Sequence, residues 1–253
     1  MAVTSFNDRV VLITGAASGF GKLLAESLAD MGAKLALADL NEAGVAAVAD
    51  QLVSSKQCEV IYQACDVSKE VQVEAFVSAA VSQFGRLDIA VNNAGISGDM
   101  KSLIDVTEAD MDLNFAVNAK GVLFGMKYQI RQMLQQEGGV ILNVASMAGI
   151  NGAPRLAPYC AAKHAVVGLT KTAAVEYGRN NIRCNAVCPY FSHTPMIADS
   201  PIMQREELFA QASPMKRLGE AHEIVQAMLM LMAPENSYLN GQAIAVDGGK
   251  SSF

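Results

Sequence analysis

The chain has 253 residues, enough for one large domain or two small ones with a substantial buried core. Apolar residues make up 51% of it and charged residues only 17%, which argues against extensive disorder. The net charge is −6 with no run of lysine or arginine, which argues against nucleic acid or an anionic membrane surface as a partner, because both need clustered cations.

The opening stretch MAVTSFNDRVVLITG has no basic region leading to a cleavage site, so no signal peptide is expected. Its apolar run RVVLITG reads as a buried strand that enters the glycine turn Gly15-x-x-x-Gly19-x-Gly21, with a helix beginning near Gly19. Glycines there let the backbone approach a pyrophosphate, and the helix N-terminus offers oriented N–H donors. The spacing differs from the commoner GxGxxG fingerprint. A second strand, AKLALAD, ends on Asp39, 24 residues beyond Gly15. A carboxylate at that tip accepts the ribose hydroxyls of an adenosine and repels the extra phosphate of NADP, so NAD is the expected cofactor.

The strand candidates CEVIYQACD, LDIAVNNAG, GGVILNVAS, IRCNAVCP and QAIAVDGG follow, separated by segments of helical period such as VQVEAFVSAAVSQFG. Strands apolar on both sides and alternating with helices imply a parallel sheet covered on both faces. With no linker-like stretch between them, the expectation is a single domain over 1–253. The rhythm breaks after Pro189, where residues 190–217 carry prolines and methionines without a strand pattern before Met215. That segment reads as a substrate lid.

The longest uncharged stretch, 138–154, is 17 residues and broken by polar residues and glycines, too short to span a bilayer. Five cysteines without CxxC spacing suit reduced thiols in a cytoplasmic protein, with Cys184 and Cys188 packing in a core. His164, His193 and His222 show no ligand spacing, so no metal is expected.

In the stretch SMAGINGAPRLAPYCAAKHAVVGL, Ser146 precedes Tyr159 by 13 residues, and Lys163 lies one helical turn beyond the tyrosine. Together with TGAASGFG at 14–21, CDV at 65–67, NNAG at 92–95, Asn118 and NAVCP at 185–189, this pattern resembles the short-chain dehydrogenase/reductase family over nearly the whole chain. The resemblance implies a Rossmann-type α/β fold, a doubly wound seven-stranded parallel sheet with helices on both faces. It implies Tyr159 as general acid/base and Lys163 as the group that lowers the phenol's pKa and bonds the nicotinamide ribose. Ser146 would hold the substrate oxygen, and Asn118 a relay water. Gly15, Ser18, Gly19, Phe20, Gly21 and Asp39 would bind the phosphates and adenosine ribose. Asp66 and Val67 would flank the adenine, Asn93, Ala94 and Gly95 would line the cleft, and Pro189, Ser192 and Thr194 would meet the nicotinamide. The family usually has glycine after that proline; here Tyr190 stands in its place, and it is expected to form a wall of the substrate pocket.

The other pocket candidates, Ile96, Ser97, Met147, Ile150 to Leu156, Met196, Ile197, Met203 and Phe209, are mostly apolar, with Arg155 the one obvious cation. The substrate expected is an apolar secondary alcohol or ketone: cyclic, aryl-substituted or steroid-like. Reduction of a 3-oxoacyl thioester is the alternative activity, and a catalytically silent NAD-binding protein the non-enzymatic one. Small and apolar residues around 110–135 and 157–178 give faces on which subunits of a homotetramer could pair, as members of the family commonly do.

Overall fold

Neighbouring residues of the central strands belong to two different cores. In β1 (Val10–Thr14), Val11 and Ile13 pack on one face of the sheet while Val10 and Leu12 pack on the other. The same alternation divides Leu35 and Leu37 from Ala36 and Ala38 in β2 (Lys34–Asp39), and Leu142 and Val144 from Ile141 in β5 (Gly139–Val144). Side chains in a strand point to opposite faces, so a strand buried on both sides must be apolar at every position. That is why these segments read as continuous apolar runs. The computed structural model describes residues 6–136, 138–198 and 205–252.

The remaining strands of the main sheet are β3 (Val60–Ala64), β4 (Ile89–Asn92), β6 (Ile182–Pro189) and β9 (Ala243–Val246). They form seven parallel strands in the order β3-β2-β1-β4-β5-β6-β9. On one face lie α1 (Gly19–Asp30), α2 (Glu42–Lys56) and α9 (Ala221–Met232), whose Leu24, Leu28, Val48, Leu52, Ile224 and Met228 fill the first core. On the other lie α3 (Glu70–Phe84), α5 (Gly121–Gln135) and α6 (Ala157–Tyr177), contributing Phe76, Met126, Ile130 and Val166 to the second. Full burial of each large side chain contributes roughly 1.5–3 kcal/mol.

The strand order reverses between β1 and β4, which opens a crevice at the carboxyl ends of those strands, the place where ligands bind in such sheets. Thr107 opens α4 (Glu108–Asn114) with a reciprocal capping box to Asp110. A π-helical turn, Phe115–Lys120, then joins α4 to α5. Beyond β6, the absence of strand expected before Met215 is corrected in one place. Ser192–His193 forms β7 and pairs in parallel with β8 (Gly219–Glu220), too short a strand to leave a periodic signal. Two short helices, α7 (Pro195–Ala198) and α8 (Glu206–Ala212), belong to the same region.

The far end of α9 is closed by Arg183. Its buried guanidinium donates to the carbonyls of Leu231, Leu239 and Ala233 at 3.1 Å and of Met232 at 3.4 Å. A single side chain thus satisfies carbonyls that a helix C-terminus leaves without partners. Among the described residues no helix is long and apolar enough to cross a membrane, and no group of three or more His, Cys, Asp or Glu residues could hold a metal ion.

Candidate active site

The glycine turn is shaped by close approach. Gly15 has a φ of +67°, and a Cβ there would sit 2.8 Å from the Ala94 Cα. A Cβ on Gly21 would fall 2.2 Å from the Gly15 carbonyl oxygen, so α1 can abut the turn only with glycine at that position. Asn93 holds the turn from β4, its Nδ2 donating to the carbonyls of Thr14 and Gly15 at 2.9 Å. Thr14 completes the tie, its Oγ1 accepting from the Asn93 and Ala94 amides at 3.1 Å. Thr14 opens the TGAASGFG motif, but the sequence reading gave it no role of its own. The hydroxyl directly before the glycine was the signal.

Several features of this cradle fit a dinucleotide. Ser18, the N-cap of α1, makes no side-chain cap bond, and the first turn of the helix contains no acidic residue, leaving the positive helix end open to an anion. Phe20, partly buried, packs its ring against the first core. The Asp39 carboxylate accepts the Ala17 and Asn41 amides at 2.9 Å each. About four acceptor sites on a carboxylate leave room for two further donors, which suits a pair of ribose hydroxyls. Asp66 lies at the adjoining end of β3, its carboxylate turned back onto the Ser68 amide and hydroxyl at 2.9 and 2.7 Å. Val67 is buried against Gly121. Across the crevice, Thr194 and Pro195 come within 3.9 Å of where a Gly19 Cβ would be, so the start of the 190–217 segment faces the turn.

The second half of the site gathers around Gly95. A Cβ there would lie 2.7 Å from Asn118 Oδ1 and 3.5 Å from Lys163 Nζ, so glycine lets both side chains reach the strand end. Asn118 is fully buried in the π-helical turn; its amide accepts from the Ile96 N–H at 3.0 Å and donates to the Ile96 carbonyl at 2.8 Å and to Asn114 Oδ1 at 3.0 Å. Both Nδ2 donors are therefore committed to direct bonds. π turns concentrate at functional sites because they displace the regular carbonyl pattern.

Lys163 Nζ donates to the Val144 carbonyl at 2.7 Å and stands 5.6 Å from the centre of the Tyr159 ring. The ammonium is buried, and that burial lowers its pKa to about 8. The sequence had suggested that Lys163 lowers the Tyr159 phenol. In this structure burial dominates and pushes the phenol up, with the bond from Ser146 opposing it. Lys163 Nζ is bonded instead to a main-chain carbonyl, that of Val144, which no motif in the sequence reveals. Ser146 caps the short turn Met147–Gly149, accepting the Ala148 amide at 3.1 Å, and its hydroxyl meets Tyr159. Gly149 packs so closely on α6 that a Cβ would be 2.7 Å from the Lys163 carbonyl oxygen.

Beneath this group runs a buried polar network absent from the sequence reading. Asn92 donates to Gln129 at 3.0 Å and to Asn143 at 2.8 Å, Gln129 donates back to Asn92 at 2.8 Å, and Asn143 donates to Thr170 at 2.9 Å. The network joins β4 and β5 to α5 and α6; Tyr159 and Lys163 lie on α6, Ser146 follows β5, and Asn118 sits in the π-helical turn that leads into α5. Cys188 is buried beside Ser146, and burial raises its thiol pKa to about 11.

Other expected residues sit elsewhere. Pro189 ends β6, and Ser192 is buried, donating to the Tyr190 carbonyl at 3.2 Å. Tyr190 donates its hydroxyl to the Phe209 carbonyl at 3.3 Å and packs its ring on Phe191 at 4.8 Å. It lines a cavity of about 130 Å³ with Met215, Leu218, Ile224, Val246 and Gly248, and none of Ser146, Tyr159 or Lys163 borders that cavity. Met147 is half-buried beside Ser146, Met196 is exposed, and Met203 lies outside the described residues. Arg155 braces the loop after β4 by donating to the Met100 carbonyl at 3.2 Å.

A family model described as enoyl-(acyl carrier protein) reductase matches residues 15–251. Levodione reductase of Leifsonia aquatica is 43% identical across 98% of this chain and 96% of its own length. A crystal structure of levodione reductase superimposes with a TM-score of 0.94 at 41% identity, covering 98% of this chain and 99% of that one. Cyclohexanol dehydrogenase of Acinetobacter sp. is 37% identical over 98% of this chain and 96% of its own. A crystal structure of 3-ketoacyl-(acyl-carrier-protein) reductase from Brucella melitensis, complexed with NADH, matches with a TM-score of 0.90 at 36% identity, covering 98% of this chain and all (100%) of that one. With the glycine turn, the Asn118, Ser146, Tyr159 and Lys163 cluster, and these relatives in agreement, the chain belongs to the short-chain dehydrogenase/reductase family of oxidoreductases.

Proposed function

We propose that this protein is an NAD-dependent oxidoreductase that interconverts an apolar secondary alcohol, cyclic, aryl-substituted or steroid-like, with its ketone. The observation that carries the reading is the convergence of Ser146, Tyr159 and Lys163 at the strand ends beside Gly95. Levodione reductase and cyclohexanol dehydrogenase, whose names point to ring substrates, support the cyclic class.

The nicotinamide supplies the hydride acceptor for the alcohol and the hydride donor for the ketone. Tyr159 takes the hydroxyl proton in oxidation and returns it in reduction. Ser146 orients the substrate oxygen and offers a hydrogen bond to the charge that develops there. Lys163, an ammonium below about pH 8, stabilises the phenolate when it forms and is placed to bond the nicotinamide ribose. Any relay water at Asn118 would be held mainly by its main chain, since its Nδ2 is fully used. Because burial holds the phenol proton, ketone reduction should keep its acid through neutral pH, while alcohol oxidation should gain as pH rises.

Asp39 supports NAD over NADP, since a carboxylate already placed for ribose hydroxyls repels a 2′-phosphate. The runner-up, a 3-oxoacyl-thioester reductase, is favoured by the similar acyl-carrier-protein reductase in complex with NADH, a relative in which the acyl activity and NADH occur together. The preference for NAD therefore does not separate the two readings; substrate does. We also propose a homotetramer, supported by the exposed Leu113, Leu123 and Val175 on α4, α5 and α6, and a reducing cytoplasmic setting, which suits five free thiols. Light scattering at micromolar concentration tests the assembly, and a monomer would reject it.

The direct test is turnover followed by nicotinamide absorbance, with both cofactors, on cyclic alcohols, aryl carbinols, steroids, their ketones and a 3-oxoacyl thioester. NAD-linked turnover of the apolar alcohols, lost in Tyr159→Phe, is expected. Turnover confined to the thioester would replace the main reading with the runner-up. Cofactor binding with no turnover on the whole panel would count for a silent binder.

A further inference from the structure

The segment after β6 is fastened at two places of different chemistry. One is aromatic: Phe191 packs between Tyr190 and Phe209 with ring centroids 4.8 and 4.7 Å away, and Tyr190 bonds the Phe209 carbonyl. The other is ionic. His193, the second residue of β7, lies between carboxylates from two separate elements. Its Nε2 is 2.9 Å from Glu206 Oε1, at the first residue of α8, and its Nδ1 is 3.1 Å from Glu220 Oε1, at the N-cap of α9. A neutral imidazole carries hydrogen on one nitrogen only, so it can donate to one of these carboxylates; an imidazolium donates to both. The arrangement therefore selects the protonated ring. Accordingly the Glu206 bond first, and then the Glu220 bond, raise the pKa above its ordinary 6.5 against the small cost of burial.

We propose that His193 is a positioning residue for the substrate lid: as an imidazolium it straps α8 to the start of α9 beside the cofactor cleft, and as a neutral ring it releases α8. The proposal rests on reading residues 190–217 as the lid, uses only its described parts, 190–198 and 205–217, and assigns them a pH-dependent fastening. Among the described residues, Glu206 and Glu220 are the charged groups that face the ring. Behind Glu220 lies Arg217, paired with Glu223 at 2.6 and 2.7 Å, which holds the Glu223 carboxyl down at about 2 and so keeps it charged throughout. On α8, Glu207 is bonded by Gln211 at 2.8 Å. His222, on the first turn of α9, exerts its effect on Glu223. The sign follows from the raised pKa: the strap is complete below the ordinary value of 6.5 and is lost as pH climbs through the raised value.

Two measurements on the full chain test this. Amide hydrogen exchange across 206–212, corrected for intrinsic rates, should show protection falling about three- to fivefold from pH 5.5 to pH 9, the size sustained by exposed ion pairs. In His193→Gln the protection should be low and flat with pH, whereas His222→Gln should follow the wild type. Substrate KM should rise over the same window in the wild type, with NAD affinity level. Protection that stays flat in the wild type, or a His193→Gln variant that keeps the pH response, would overturn the proposal. Exchange needs no turnover, so an active Tyr159→Phe variant would remove the proposed function and leave the strap to be judged on its own.

Discussion

The two walls of the cleft are built on opposite plans. The glycine turn and α1 are held by backbone constraints: glycines that admit no Cβ, and main-chain groups tied by Thr14 and Asn93. The opposite wall, the described residues 190–198 and 205–217 that we propose as the lid, is held by side chains that meet across 13 to 27 residues, His193 with Glu206 and Glu220, and Tyr190 with Phe209. A wall made of backbone contacts has one conformation and fits an invariant ligand such as a dinucleotide. Exposed ion pairs and ring contacts are individually weak, so a lid built on them would adjust to a substrate.

The comparison can be broken hardest at the point where both walls serve the chemistry. Tyr159→Phe should lower turnover by about 10²- to 10⁴-fold, the range for a lost general acid/base, with NAD affinity nearly unchanged by titration. Persistent turnover would remove the site from its place between the walls. Gly21→Val attacks the backbone wall alone: with the Gly15 oxygen 2.2 Å from the new Cβ, unfolding by urea should show a loss of about 3 kcal/mol, and NAD binding should weaken with it. Asp39→Ser should leave stability close to the wild type and shift the NAD-to-NADP preference by about ten- to a hundredfold towards NADP in kcat/KM. The smallest effect belongs to the side-chain wall. Tyr190→Gly should raise substrate KM by about three- to tenfold through loss of the anchor at Phe209 and leave the NAD dissociation constant alone. Equal effects on both ligands would mean that the walls are not separable.

The expectation for Tyr190 shows where a reading from sequence stops. Its position after Pro189 was legible, and an aromatic in place of glycine was a fair sign that the loop differs. The structure bonds its hydroxyl to Phe209 and packs its ring on Phe191, beside a cavity that neither Ser146 nor Tyr159 borders. A side chain's direction depends on partners far along the chain, and none of them leaves a periodic or motif signal. The same limit applies to Lys163, whose principal bond is to the main chain of Val144. By contrast, the positions of Gly15, Gly21 and Asp39 follow from a strand, a turn, a helix and a second strand in succession, and local rules suffice for them.

What the sequence determined by itself was the alternation of buried strands and helices, the turn that suits a pyrophosphate, and the spacing that puts Lys163 one helical turn beyond Tyr159. These follow from short-range geometry: the twofold strand period, the 3.6-residue helix period, and the conformations open only to glycine. Only the tertiary structure decided that Asn92, Gln129, Asn143 and Thr170 join beneath the site. It also decided that Arg183 closes α9 and that His193 meets two carboxylates. Each of these is a polar group whose partner is chosen by packing, because burial or proximity requires a partner but does not say which one.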